Sequence, residues 1–156
     1  MSRFMRKGKT KVYFVPTITT LTAPTVAQIT AGTRLDQQLA EVTGFEFANQ
    51  AIDAPDMGSS FVGKVTGEDQ VTNSTMTFYE DDTTNAIRTA LPKGTTGYIV
   101  FFPAGTAGAN PAINDKCETW PVQVASSSRK YSVGNEAAQY VIAFTNTAGP
   151  TEGVLA

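Results

Sequence analysis

Three adjacent carboxylates, Glu80-Asp81-Asp82, are the densest set of charged oxygen donors in the chain. Such a run suits a hard cation such as Ca²⁺. It also suits the positive end of a helix dipole, with Asp82 as N-cap of a helix over about 82–91, and capping accounts for all three residues. Glu68-Asp69, within Gly67-Glu68-Asp69-Gln70, reads as a hairpin turn. Asp56, between Pro55 and Met57-Gly58, has two equal readings: an Asx residue that stabilises a turn, or a charge displayed on a contact loop. Proton-transfer chemistry finds little else. The chain has no histidine, which removes the commonest general base and metal ligand. Its single cysteine, Cys117, has neither a histidine to activate it nor a disulfide partner. It reads as a small buried hydrophobe in a protein made in a reducing cytosol. Val62-Gly63-Lys64-Val65 lacks the rest of a phosphate-binding loop. A glycosidase-type acid pair needs only two carboxylates, and nothing sets one pair apart. The expectation is a protein that is not an enzyme and carries no cofactor and no metal.

The elements around these residues are mostly strands. In Ser74–Glu80, Met76 and Phe78 alternate with Thr75, Thr77 and Tyr79, the period of a half-buried strand. Ile87, Ala90 and Leu91 then form a short helical stripe, closed by Pro92 and Gly94. Tyr98–Phe102 is an apolar run of strand length, suited to burial on both faces. Upstream, Lys11–Val15 is a first strand, Thr17–Thr25 a loop, and Thr25–Ala31 one or two helical turns ended by Gly32. Thr33–Phe47 is ambiguous. Leu35, Leu39 and Val42 have helical spacing, whereas Phe45 and Phe47 alternate as in a strand. Residues 48–60 read as a long contact loop with Pro55 and Gly58. Phe61–Thr66 and Val71–Glu80 read as a hairpin around Gly67–Gln70. Later, Asp115–Ala125 is a strand with Glu118, Trp120, Val122 and Val124 on one face. Ser126–Arg129 is a turn, and Gln139–Thr145 is a last strand with Tyr140, Ile142 and Phe144 inward. Residues 146–156 are a tail. The fold class is mainly β, a sandwich or barrel of about seven to eight strands with one flanking helix.

At 156 residues the chain reads as one domain, large enough for a core without disulfides. Charged residues make up only 17%, which points to a surface that meets other subunits. The net charge of −2 hides a split. Five of the twelve basic residues, Arg3, Arg6, Lys7, Lys9 and Lys11, fall in the first eleven positions, where no acid occurs. The rest is an acidic body, so residues 1–10 read as a basic arm, either solvated or docked on an acidic neighbour. No run approaches the roughly 18 apolar residues of a membrane helix, and Val12–Val15 before Pro16 is too short for a signal peptide.

Several stretches together resemble the major tail tube protein of long-tailed bacteriophages, particularly non-contractile phages of actinobacteria. They are Ile29-Thr30-Ala31-Gly32-Thr33-Arg34-Leu35, Ile52–Phe61, Gly67-Glu68-Asp69, Ser74–Asp82 with the helix after it, and Cys117-Glu118-Thr119-Trp120-Pro121-Val122. They span Lys11–Phe144, and their order and spacing carry the likeness, since none is a catalytic signature. The resemblance implies a β-sandwich subunit, with a strand over Leu35–Phe47. Hexameric rings would share one inner β-barrel and stack into a tube that conducts DNA without binding it specifically. It also implies a virion location and, as partners, further copies, a tape measure protein, a terminator and a distal tail protein. Closing a ring pairs strand edges that would otherwise invite aggregation. Head-to-tail contacts build an open filament. An acidic lumen avoids the counterion release that drives DNA binding. On this reading Arg3, Arg6, Lys7, Lys9, Asp53, Asp56, Met57, Glu68 and Asp69 belong to ring–ring or subunit contacts. Glu41 and Glu46 are lumen candidates, although one slip of register would reverse them. Two alternatives stand beside it. One is another ring-forming tail component, a terminator or distal tail protein. The other is a carbohydrate- or receptor-binding β-sandwich using Trp120 and Tyr131.

Overall fold

The computed structural model describes residues 1–156. Its elements are β1 Lys11–Val15, α1 Val26–Thr30, β2 Thr33–Arg34, β3 Leu39–Thr43, β4 Phe47–Ala54, β5 Gly63–Val71, β6 Ser74–Tyr79, α2 Ala86–Ala90, β7 Thr96–Phe102, β8 Lys116–Lys130, β9 Gln139–Asn146 and β10 Thr151–Val154. The chain is mainly β, and every pairing is antiparallel. The main sheet runs β2-β1-β7-β8-β9-β6-β3, with β10 added beside β8. Strands β4 and β5 form a separate hairpin.

The 15-residue β8 joins the two halves of the main sheet. Its first part pairs with β7 and β10, and Val122–Lys130 pairs with β9. A bulge between Val124 and Ser126 lets the strand turn from one half to the other. Pro121 lies between the end of the β10 ladder at Thr119 and the start of the β9 ladder at Val122. A missing N–H costs least in such a gap. The Pro121 carbonyl accepts from the Thr147 N–H at 3.1 Å.

Apolar residues fill both faces of the β1–β7 half, as the unbroken run Tyr98–Phe102 predicts. Val12, Phe14 and Ile99 enter a core with Met76, Phe78, Trp120, Tyr140, Ile142 and Phe144. Tyr13, Val15, Val100 and Phe102 enter a second core with Ile29 and Cys117, beneath α1. Burial raises the Cys117 thiol pKa, which keeps it inert. The expected capped turn at Thr25 is present. Thr25 Oγ1 accepts from the Gln28 N–H at 3.2 Å, and the Gln28 side chain accepts from the Thr25 N–H at 3.2 Å. Thr25→Ala removes half of this capping box and should lower stability by about 1 kcal/mol in urea melts.

Five expectations are corrected. The flanking helix occupies only Ala86–Ala90, and Asn85, not Asp82, precedes it without a side-chain cap. Asp81 instead accepts from the Thr83 and Thr84 N–H groups, which holds it below the usual carboxylate range. Thr83-Thr84-Asn85 follow, and such side chains compete with helical backbone bonding. Residues 48–60 are not a loop throughout, because β4 continues to Ala54. Gly67–Gln70 is not a turn, since β5 runs straight through it. Ser126–Arg129 likewise lies inside β8. Finally, the tail beyond 146 holds β10, which pairs with β8. For Leu35–Phe47 the strand reading holds at β3 and fails at 36–38 and at Phe45, where the chain turns.

Candidate assembly surface

Apart from Val71 at its base, which packs against the larger core, the β4–β5 hairpin stands away from both cores. Every residue of β4 is exposed. Phe47 (51% exposed), Ile52 (55%) and Val65 (52%) carry apolar surface along it, and Met57, Phe61 and Val62 carry more at its tip. Ile52 pairs with Val65, and Asp53 with Lys64 on the opposite face. The Asp53–Lys64 ion pair measures 2.9 Å. It is well exposed, so it adds little stability. An isolated two-stranded hairpin is marginal in water, and this one lacks a core to lean on.

Two devices shape it. The first is a bulge between Asn49 and Ala51, opposite Gly67. The Asn49 amide donates to the Gly67 carbonyl at 2.8 Å and to Asp69 Oδ1 at 2.6 Å, and its oxygen accepts from the Gly67 N–H at 3.1 Å. The second is the root. Gly44 and Phe45 both have positive φ, +79° and +54°. The Phe45 N–H donates to Ser74 Oγ at 2.9 Å, and Asn146 Nδ2 donates to the same oxygen at 2.7 Å. The Phe45 ring meets Phe101 and Trp120 edge-on, with centroids 5.2 and 5.5 Å apart. A left-handed pair clamped by buried Ser74 thus aims the hairpin out of the body.

The hairpin gathers Asp53, Asp56, Met57, Glu68 and Asp69, which the sequence placed in two separate loops. At the tip Asp56 accepts from the Gly58 N–H at 2.8 Å, the Asx geometry, while Met57 projects fully into solvent. Glu68 and Asp69 lie on β5, not at a turn. The basic residues sit elsewhere. Arg3 is exposed near the start of the arm. Arg6 reaches the Pro103 carbonyl at 3.4 Å, and Lys9 Nζ lies 5.1 Å from the Phe4 ring centroid. Arg6 and Lys7 border an open groove of about 630 Å³ whose floor includes Val42, Phe45, Phe101 and Trp120. Glu41, on terminal strand β3, borders the same groove, and Glu46 is exposed just before β4.

Of the other candidates, Glu80 pairs with Arg129 at 2.7 Å. No group of three His, Cys, Asp or Glu residues is arranged to hold a metal ion. Trp120 is 3% exposed and belongs to the core, so it offers no sugar platform. Tyr131 is exposed to solvent. Sequence reasoning missed the root residues Gly44, Ser74 and Asn146. The one available signal was Gly44 itself, placed between two strand-like segments.

The fold is similar to that of several solved structures. A chain of the sheath/tube terminator of the extracellular contractile injection system PVC, in its extended state, aligns with a TM-score of 0.65 and 12% identity, covering 97% of each chain. A chain of the PVC sheath–tube complex aligns at 0.62 and 12% identity, covering 94% of this chain and 88% of the other. The anti-feeding prophage tube-terminating cap aligns at 0.64 and 14% identity, covering 99% and 93%. At these identities the likeness is one of fold. No curated protein matches the sequence. The family model described as phage tail tube protein matches residues 1–156. The chain therefore belongs to the phage tail tube protein family, whose members are structural components of the phage tail and not enzymes.

Proposed function

We propose that this protein is the repeating subunit of a tail tube, forming hexameric rings that stack into a conduit for DNA. The observation that carries this reading is the β4–β5 hairpin, which displays large apolar side chains on a two-stranded ribbon with no core of its own. Such a ribbon gains its missing packing partner when a neighbouring copy covers it. Terminal strand β3 supports the same reading, since a neighbour's strand can satisfy its free edge and close the rings into one barrel. The resemblance in sequence supports a non-contractile phage tail, with a tape measure protein, a terminator and a distal tail protein as further partners.

Glu46 faces the lumen on this reading, where it repels passing phosphate, whereas Glu41, which borders the groove beside β3, belongs to the contact between copies. The basic arm, with Arg3, Arg6, Lys7 and Lys9, binds an acidic neighbour. Negative-stain microscopy at rising protein concentration should show hollow tubes or stacked rings. A chain lacking Met1–Lys9 should form rings that stack less well. Full-length tubes from that truncation at the wild-type concentration would remove the arm's role.

Rings that never stack would favour a second reading, a terminator or cap. The solved structures of similar fold give this reading its specific support, since they include a terminator and a cap.

A further inference from the structure

We propose that the groove beside β3 receives the hairpin tip of a second copy, with Met57 and Phe61 on its apolar floor and Asp56 against Arg6 and Lys7. This rests on the tail tube reading and names the surface that receives the hairpin. The groove is about 630 Å³, open to solvent, and lined by Val42, Phe45 and Phe101 with buried Trp120 behind them. Its basic border is held over the opening, because Arg6 reaches the Pro103 carbonyl and the Lys9 and Thr10 N–H groups both donate to the Arg6 carbonyl.

The tip fits this chemistry. From Ala54 to Val62 it carries one charge, Asp56, and three large apolar side chains, Met57, Phe61 and Val62, all in solvent. The acids Asp36, Glu41 and Glu118 border the socket as well, and Asp36 is already paired with Arg34, so an acidic tip can enter in only one sense, with Asp56 toward the arm.

A copy cannot fill its own socket. The eight residues of β4 carry the tip roughly 26 Å from the root at the usual strand rise, and the root residue Phe45 is part of the floor. Tip and socket are therefore different surfaces at opposite ends of one element, and their contact is heterologous. Contacts of that kind propagate from copy to copy. Because Phe45 belongs to both floor and root, a tip seated in one copy stiffens the hairpin that this copy offers to the next.

Paired cysteines test the contact. A chain carrying Met57→Cys and Val42→Cys should, when its tubes are mildly oxidised, give a ladder of covalent oligomers on a denaturing gel. Each single variant should stop at a dimer or below, and buried Cys117 serves as the internal control. Tubes that yield no ladder would overturn the tip-in-socket contact and leave the tail tube reading intact. Absence of tubes from the unmodified protein, even when seeded with a preformed tube end, would overturn both.

Should the cysteines themselves block assembly, charge reversal decides. Asp56→Lys should raise the concentration needed for tubes about tenfold. Adding Arg6→Glu and Lys7→Glu to the same chain should recover most of that loss. Losses that merely add would overturn the proposal.

Discussion

A Gly67→Val subunit should fold normally and fail to assemble. Gly67 sits at the β4–β5 bulge, and a Cβ there would overlap the Gln50 backbone oxygen and approach Ile52 Cγ1 to 2.9 Å. Ile52 could swing away, but the Gln50 carbonyl is backbone and can move only if the hairpin opens. Overpacking of this kind costs about 1–3 kcal/mol. Neither core includes Gly67, so the penalty falls on the hairpin alone. Charged against each contact the hairpin makes, it should raise the concentration needed for tubes roughly 5- to 150-fold. Thermal melts should stay within about 2 °C of wild type. Tubes at the wild-type concentration would sink the claim that the shape of the hairpin governs assembly.

Trp120→Ala should damage the body as well as the hairpin. The indole is 3% exposed and packs with Val122, Val124 and Phe144 in the larger core. It also meets the Phe45 ring at 5.5 Å, which fixes the hairpin root. Truncating a buried Trp to Ala typically costs 3–5 kcal/mol, a large share of the 5–15 kcal/mol that holds a domain together. For a chain of this size the melting temperature should drop by roughly 6–20 °C. Limited proteolysis should cut first in the 55–62 tip, because loss of the ring frees Phe45. A melt within about 2 °C of wild type would show that the cavity is tolerated and Trp120 is not central.

The core was legible because burial imposes a pattern. Met76 and Phe78, then Tyr140, Ile142 and Phe144, alternate cleanly with less buried residues, and the structure buries each of them. Tyr98–Phe102 reads as a strand covered on both faces, and Ile99, Val100 and Phe102 divide between the two cores. The hairpin was illegible for the converse reason. A strand exposed on both faces has no inward side to mark, so Phe47–Ala54 reads as Asn, Gln and Asp mixed with Ala. Ser126–Arg129 misled in the same way, at the exposed end of β8. The Gly67 bulge reads as a turn in the sequence because a glycine beside two acids signals either one. The candidate contact residues are thus legible one by one in the sequence, and the hairpin that carries Asp53, Asp56, Met57, Glu68 and Asp69 together is not.

The hairpin's lack of a core also has a consequence in time. A two-stranded ribbon without packing partners is marginal in water, so in a free subunit it is expected to sample several shapes, few of which match a waiting neighbour. The first ring must catch several such ribbons at once, so it forms slowly. Once formed, it presents sockets already in register, and each later arrival orders against a fixed template. Growth of this kind has a lag, and a preformed end abolishes the lag. A fresh pool of subunits therefore assembles only after a delay, which a seed shortens, and timing is written into the weakest element of the fold.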